Sequence, residues 1–227
     1  MEDKTYLQVV QYIKNEVKED RLRVGNKLPT EREMSASLGF SRNSIREALR
    51  TLSSLGIIES RQGSGNYLSG DISGFFIEAF EMMSLVNKIK PIDISQMRRA
   101  LEIQAFTQIV YSINQEQINK LKETLDLLSK SEKSEDDHSR LDLQFHLQLI
   151  ELGGNTLLTC TGKALSNSFQ ENVLNNLKQL SPKQKEFISK AHYDIVDALE
   201  KHDLQSGLHA IHTHYNIVDD RIYGSGL

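Results

Sequence analysis

A single cysteine, Cys160, leaves no internal disulfide possible, and such sparing use of cysteine suits a reducing cytoplasm. No apolar run approaches the ~20 residues needed to span a bilayer; the longest runs are of the order of Phe75-Phe76-Ile77. The opening Met1-Glu2-Asp3-Lys4 is polar and leads straight into a helical pattern, so no secretory leader is expected. Internal repeats and low-complexity stretches are missing, and beyond residue 74 almost nothing reads as strand. These absences set aside secretion, membrane insertion and a disulfide scaffold, and they predict a cytoplasmic protein with no membrane partner. What is present suits a folded, soluble chain: 26% charged and 38% hydrophobic residues over 227 positions. At ~150 residues per domain, that length fits a small domain joined to a larger one.

The net charge of −4 conceals an asymmetry. Residues 1–70 hold 11 basic and 9 acidic side chains, whereas residues 71–227 hold 16 and 22. Between residues 21 and 50 the ratio is 7 basic to 3 acidic. A basic segment on an otherwise acidic chain is a candidate footprint for phosphate, although helices also carry solvated Arg and Lys for no such reason.

Periodicity divides the chain near residue 70. Leu7, Val10, Ile13 and Val17 mark an amphipathic helix over 5–19. After a break at residues 23–29, Thr30-Glu31-Arg32-Glu33 forms a capping box that opens a short helix, and Gly39 ends it. Ser41 is a good N-cap for a third helix with Ile45, Ala48, Leu49 and Leu52 on one face. Residues 57–61 and 66–68 read as two short strands around a Gln62-Gly63-Ser64-Gly65 tip. Helix, helix, turn, helix and β-hairpin in this order make a winged helix-turn-helix over 1–70. Residues 69–74 read as linker and hinge, with 71–74 as the connector proper. Segments near 75–88, 93–112, 115–130, 135–152, 155–179, 182–201 and 204–222 are all helical. Asp93 with Gln96, Asn114 with Gln117, and Ser181 with Pro182 mark starts. Short connections between such helices favour antiparallel neighbours. The expected fold is therefore mostly α: an N-terminal winged helix-turn-helix plus an all-α antiparallel bundle over 75–227.

In a helix-turn-helix the second helix of the motif enters the major groove with its N-terminal residues on the bases. That stretch here is Ser41-Arg42-Asn43-Ser44-Ile45-Arg46. Arg42 and Arg46 share a face, while Ile45 and Ala48 point inward. Arg bridges guanine O6 and N7, Asn pairs with adenine, and Ser suits phosphate. Arg32 opens the preceding helix, which crosses the DNA backbone. The plainer alternative is that these arginines only solubilise a helical surface. The residues resemble the GntR family of bacterial transcription regulators. The resemblance lies in Gly25-x-x-Leu28-Pro29-Thr30-Glu31-Arg32-Glu33-Met34, in Ser41-Arg42-x-x-Ile45-Arg46-Glu47-Ala48-Leu49, and in Leu52, Gly56 and the Gln62-Gly63-Ser64-Gly65 wing. Met34 stands where the family usually has Leu. The resemblance implies that Arg32, Arg42 and Arg46 meet phosphates and bases, that Ser41 and Ser44 assist, and that Gln62 and Gly63 enter the minor groove.

The bundle carries a second constellation. Asp142 and His146 are four apart and project from one helical face. His192 and His214 each lie 11 residues from Asp203, where the last two helices turn. In an antiparallel pair they should stand level. Three imidazoles and a carboxylate converging inside a bundle suit Zn²⁺ or another late first-row divalent ion such as Ni²⁺, although a core His is often only a hydrogen-bonded packing residue. His138, His202, His209 and His212 have no such geometric reason and read as surface residues. This half resembles the all-helical effector domain of the FadR subfamily, the FCD domain. The resembling pieces are Met97 to Glu102, Asp142-x-x-Phe145-His146 with Gly154-Asn155, and His192 through Asp203 to His214. The resemblance implies a metal on Asp142, His146, His192 and His214, and a carboxylate effector on Arg98. Gln96 departs from the Glu usual before that arginine. Structurally, Arg98 has an alternative as a surface ion pair with Glu102.

The sequence therefore predicts a dimeric transcription regulator, not an enzyme, that binds palindromic double-stranded operator DNA and responds to a small organic acid beside a metal. An acyl-CoA-responsive regulator without metal is disfavoured by the intact Asp/His set. A metal-dependent hydrolase is disfavoured by the lack of a clear general base near the ligands.

Overall fold

Cap chemistry decides where the N-terminal unit turns. The computed structural model describes residues 2–70, 73–87, 89–131, 135–168 and 180–224. After α1 (Glu2–Lys18), α2 (Glu31–Leu38) begins where Thr30 Oγ1 accepts from the Glu33 amide at 3.3 Å and Glu33 returns a bond to the Thr30 amide at 2.7 Å. Gly39, at φ 73°, ends α2 in the left-handed conformation that glycine adopts without steric cost. Two residues later the Ser41 hydroxyl accepts from the Ser44 amide at 3.1 Å and starts α3 (Arg42–Ser54). The turn between α2 and α3 is thus fixed by two caps and one glycine. Beneath it Val9, Met34, Ile45, Leu49, Leu52 and Ile58 form one buried cluster.

β1 (Ile58–Arg61) pairs antiparallel with β2 (Gly65–Leu68), from Ile58 opposite Leu68 to Arg61 opposite Gly65. Gly63, at φ 72°, turns the three-residue tip. The stretch read as a break before Pro29 is in fact pinned to this wing. The Leu28 amide donates to Asn66 at 2.8 Å and the Leu68 amide to Asn26 at 2.9 Å.

Among the described residues the remaining helices are α4 (Ser73–Asn87), α5 (Pro91–Ile109), α6 (Gln115–Lys130), α7 (Glu135–Leu152), α8 (Thr156–Ser168), α9 (Pro182–Glu200) and α10 (Leu204–Gly224). Two boundaries differ from the sequence reading. Ser73 and Gly74, expected in the linker, belong to the first turn of α4; Asp71 and Ile72 lie outside the described residues. α5 starts at Pro91, whose fixed φ suits a first helical position. Asp93 is the third helical residue and accepts from the Lys90 amide at 2.9 Å, rather than being the cap itself. The expected helix over 155–179 is described as far as Ser168, and its remainder lies outside the described residues.

The helices of the second unit form an antiparallel bundle around Phe106, Phe145, Leu149, Ile195, Leu199 and Ile211. α9 and α10 make a hairpin that turns through His202, at φ 53°. Asp203 then caps α10, accepting from the Ser206 amide at 3.1 Å. The chain divides into two compact units, Met1–Phe76 and Ile77–Leu227. Among the described residues, no helix is long and apolar enough to cross a membrane.

Candidate metal centre and DNA-reading surface

The hairpin geometry brings the candidate ligands together. α7 presents Asp142 and His146 one turn apart, α9 supplies His192 and α10 supplies His214, with the rings of His192 and His214 4.7 Å apart between centroids. His192 Nε2 lies 3.3 Å from His146 Nε2. Asp142 Oδ1 lies 3.5 Å from His192 Nε2 and 3.8 Å from His146 Nε2. Ligating atoms of the three imidazoles all fall within 4.8 Å of one another. All four residues are buried.

The donor chemistry fits a divalent cation. Nitrogens at ~2.0–2.1 Å from a tetrahedral zinc stand roughly 3.3 Å apart, the spacing of the His146 and His192 nitrogens. Burial pushes the His192 pKa down to about 3 and that of His214 well below its usual value, so both rings are neutral donors at neutral pH. For Asp142, burial opposes ionisation, but His146, His192 and Arg98 together hold its pKa below the usual carboxylate value. His192 Nδ1 and His214 Nδ1 are buried without a hydrogen-bond partner. For His192 that nitrogen is the one turned away from the cluster, since its Nε2 faces His146 and Asp142.

Arg98 corrects the surface-pair alternative. It is 8% exposed, Glu102 is fully buried, and the two do not lie on a wet helix face. α5 carries them inward because it packs on both α7 and α10. Burial works against the guanidinium charge, but Tyr215, Glu102 and Asp142 outweigh it and raise the Arg98 pKa. One terminal nitrogen, Nη2, has no partner. Sequence reasoning also missed three other residues. Glu102 lies 2.8 Å from His146 Nδ1 and accepts from the Tyr215 hydroxyl. Burial pushes the Tyr215 pKa well above its usual value. Ser139, one turn before Asp142, has a buried hydroxyl without a partner. His138 is half-buried rather than superficial, 3.3 Å from the Ser131 hydroxyl. His202, His209 and His212 are exposed, as expected.

On the first unit Arg32, Ser41, Arg42, Asn43, Gln62 and Gly63 are all exposed, and Ser44 and Arg46 are half-buried. Arg46 is not a free side chain. Its Nε and Nη2 grip Glu31 at 2.9 and 2.7 Å, which lowers the Glu31 pKa and ties α3 to the first turn of α2. Two of its five N–H donors are engaged, leaving a buttressed edge for a DNA group.

Residues 5–68 match the family of bacterial regulatory proteins called gntR, and residues 93–216 match the FCD domain. The uncharacterized HTH-type transcriptional regulator YcbG of Bacillus subtilis is 28% identical over 218 residues, covering 95% of this chain and 88% of that protein. The HTH-type transcriptional repressor NanR of Escherichia coli is 27% identical over 209 residues, covering 86% of this chain and 75% of that protein. A solved structure of a GntR protein from Streptococcus agalactiae shares the fold, with a TM-score of 0.71 at 24% identity over 97% of this chain and 99% of that one. The family and these relatives regulate transcription and are not enzymes, and the chain belongs to the gntR family of bacterial regulatory proteins, with an FCD domain as its C-terminal half.

Proposed function

We propose that this regulator binds palindromic operator DNA as a homodimer in the cytoplasm, and that a small carboxylate metabolite binding beside a divalent metal in the FCD domain controls it. Residues 1–70 read DNA, and the helical half from α4 onward holds the effector and the dimer contact. Arg42, Asn43 and Arg46 meet bases; Arg32, Ser41 and Ser44 meet phosphate; Gln62 and Gly63 reach the minor groove. Two-fold symmetry in the protein imposes two-fold symmetry on the operator.

Asp142, His146, His192 and His214 would hold the metal, most simply Zn²⁺, with Ni²⁺ an alternative of similar donor preference. The ion would supply positive charge and open coordination positions for an acid. Arg98 carries this reading further than any other residue: a buried cation with an unused N–H edge, surrounded by metal-type donors. Arginine pairs with carboxylate through two parallel bonds, so a single small acid can engage it directly. A ligand that prefers one arrangement of the bundle then shifts the population of DNA-binding states.

The test has two parts. Selection from a random duplex library should return an inverted repeat, and short hydroxy or keto acids should change affinity for it only in the metal-loaded protein. Recovery of unrelated sequences, or acid responses equal with and without metal, would defeat the proposal.

A further inference from the structure

Among the described residues, Glu102 is the charged side chain that touches a candidate metal ligand, His146, on its far side, and nothing in the metal reading uses it. Glu102 is fully buried, and its carboxylate lies 2.8 Å from His146 Nδ1. Tyr215, 2% exposed, donates its hydroxyl to the same carboxylate. His146 Nε2 faces the other way, toward His192 and Asp142. The chain therefore runs Tyr215, Glu102, His146, ligand cluster, and crosses three helices.

We infer that Glu102 and Tyr215 are positioning residues for the metal centre, fixing the tautomer and orientation of His146. This rests on the metal reading above. A carboxylate beside Nδ1 is satisfied only if that nitrogen bears the proton. The lone pair is then on Nε2, the atom that points into the cluster. Outer partners of this kind raise ligand basicity and lock the ring plane. Two acceptor oxygens would leave the carboxylate free to rotate; the Tyr215 hydroxyl removes that freedom by holding one of them. Tyr215 also follows His214 directly on α10, so the same bond fixes the rotation of the helix that carries another ligand. Among the described residues, the Nδ1 atoms of His192 and His214 have no such partner. His146 is thus the one imidazole held in place before an ion arrives.

The test compares full-length wild type with Glu102→Gln, Tyr215→Phe and, as a control whose hydroxyl bonds none of the candidate ligands, Thr124→Val. Thr124 is equally buried, and its hydroxyl lies 2.9 Å from Gln148. Zn²⁺ alone is titrated against a chromophoric chelator, and the ¹⁵N shifts of the imidazoles are read in the metal-free proteins. Glu102→Gln should weaken Zn²⁺ binding about 10- to 100-fold and move His146 away from the Nδ1–H tautomer. Tyr215→Phe should weaken binding by a smaller factor, and Thr124→Val should leave it unchanged. A tight-binding wild type with unaltered affinity and tautomer in Glu102→Gln overturns the inference while sparing the metal reading. A wild type that binds no Zn²⁺ overturns both.

Discussion

At the scale of single residues, the buried histidines make the metal-free protein acid-sensitive. The His192 pKa falls from 6.5 to about 3 on folding, and that of His214 falls well below 6.5. An unfolded chain therefore takes up these protons near pH 6.5, while the folded chain does not until far lower. Protons bind the unfolded state preferentially, so stability is full above pH ~6.5 and declines as pH drops toward 3. Thermal midpoints in chelator should fall between pH 7.5 and 5, and His192→Ala should flatten that slope. A midpoint that rises on acidification would contradict the assigned burial.

Arg98 gives a second expectation at this scale. Arg98→Lys keeps a buried cation but loses the planar fork, and the two are not interchangeable at a bidentate site. Metal content should persist while the response of DNA binding to small acids is lost. An unchanged response would place the carboxylate elsewhere. His192 and His214 were legible in the sequence because equal spacing from one turn predicts equal height. Glu102, Tyr215 and Ser139 were not, since their partners come from other helices and no local spacing encodes such contacts. Arg98 and Glu102, one turn apart, look like a surface pair until α7 and α10 cover them.

At the scale of elements, close packing of α5 on α10 depends on Gly207. A Cβ there would sit 1.9 Å from Cζ of Phe106, a fully buried ring with no room to retreat. Gly207→Ala should therefore destabilise the bundle by about 1–3 kcal/mol despite alanine's better helix propensity. Denaturant unfolding at constant slope would report it, and a neutral effect would mean the helices can part freely. In the first unit, Arg42→Ala and Arg46→Ala should each reduce operator discrimination on the order of ten- to hundredfold. Glu31→Ala should weaken specificity less, by releasing Arg46 from its buttress. If binding curves for all three match wild type, the recognition surface lies elsewhere.

Elements with strong caps were placed from sequence to the residue, as Thr30, Ser41, Asn114 and Ser181 show. α5 starts two residues before the expected 93, because Asp93 has the chemistry of a cap while Pro91 sets the true start. The backbone pairing of residues 25–28 with β2 joins main-chain groups about 40 positions apart and leaves no side-chain signature in the sequence.

At the scale of the molecule, the charge of the chain is divided: residues 1–70 hold 11 basic and 9 acidic side chains, and residues 71–227 hold 16 and 22. Binding to the folded state alone stabilises it, so an ion in the bundle should raise its thermal midpoint. Acid should release that ion only well below pH 6.5, because burial keeps the His192 and His214 rings unprotonated until then. The most direct test of the metal centre is elemental analysis of wild type, His192→Ala and His212→Ala, purified identically. His212 is exposed and lies about 200° around the helix from His214 at 100° per residue. About one ion per chain is expected in wild type and His212→Ala and essentially none in His192→Ala. Equal metal content in all three would contradict the account.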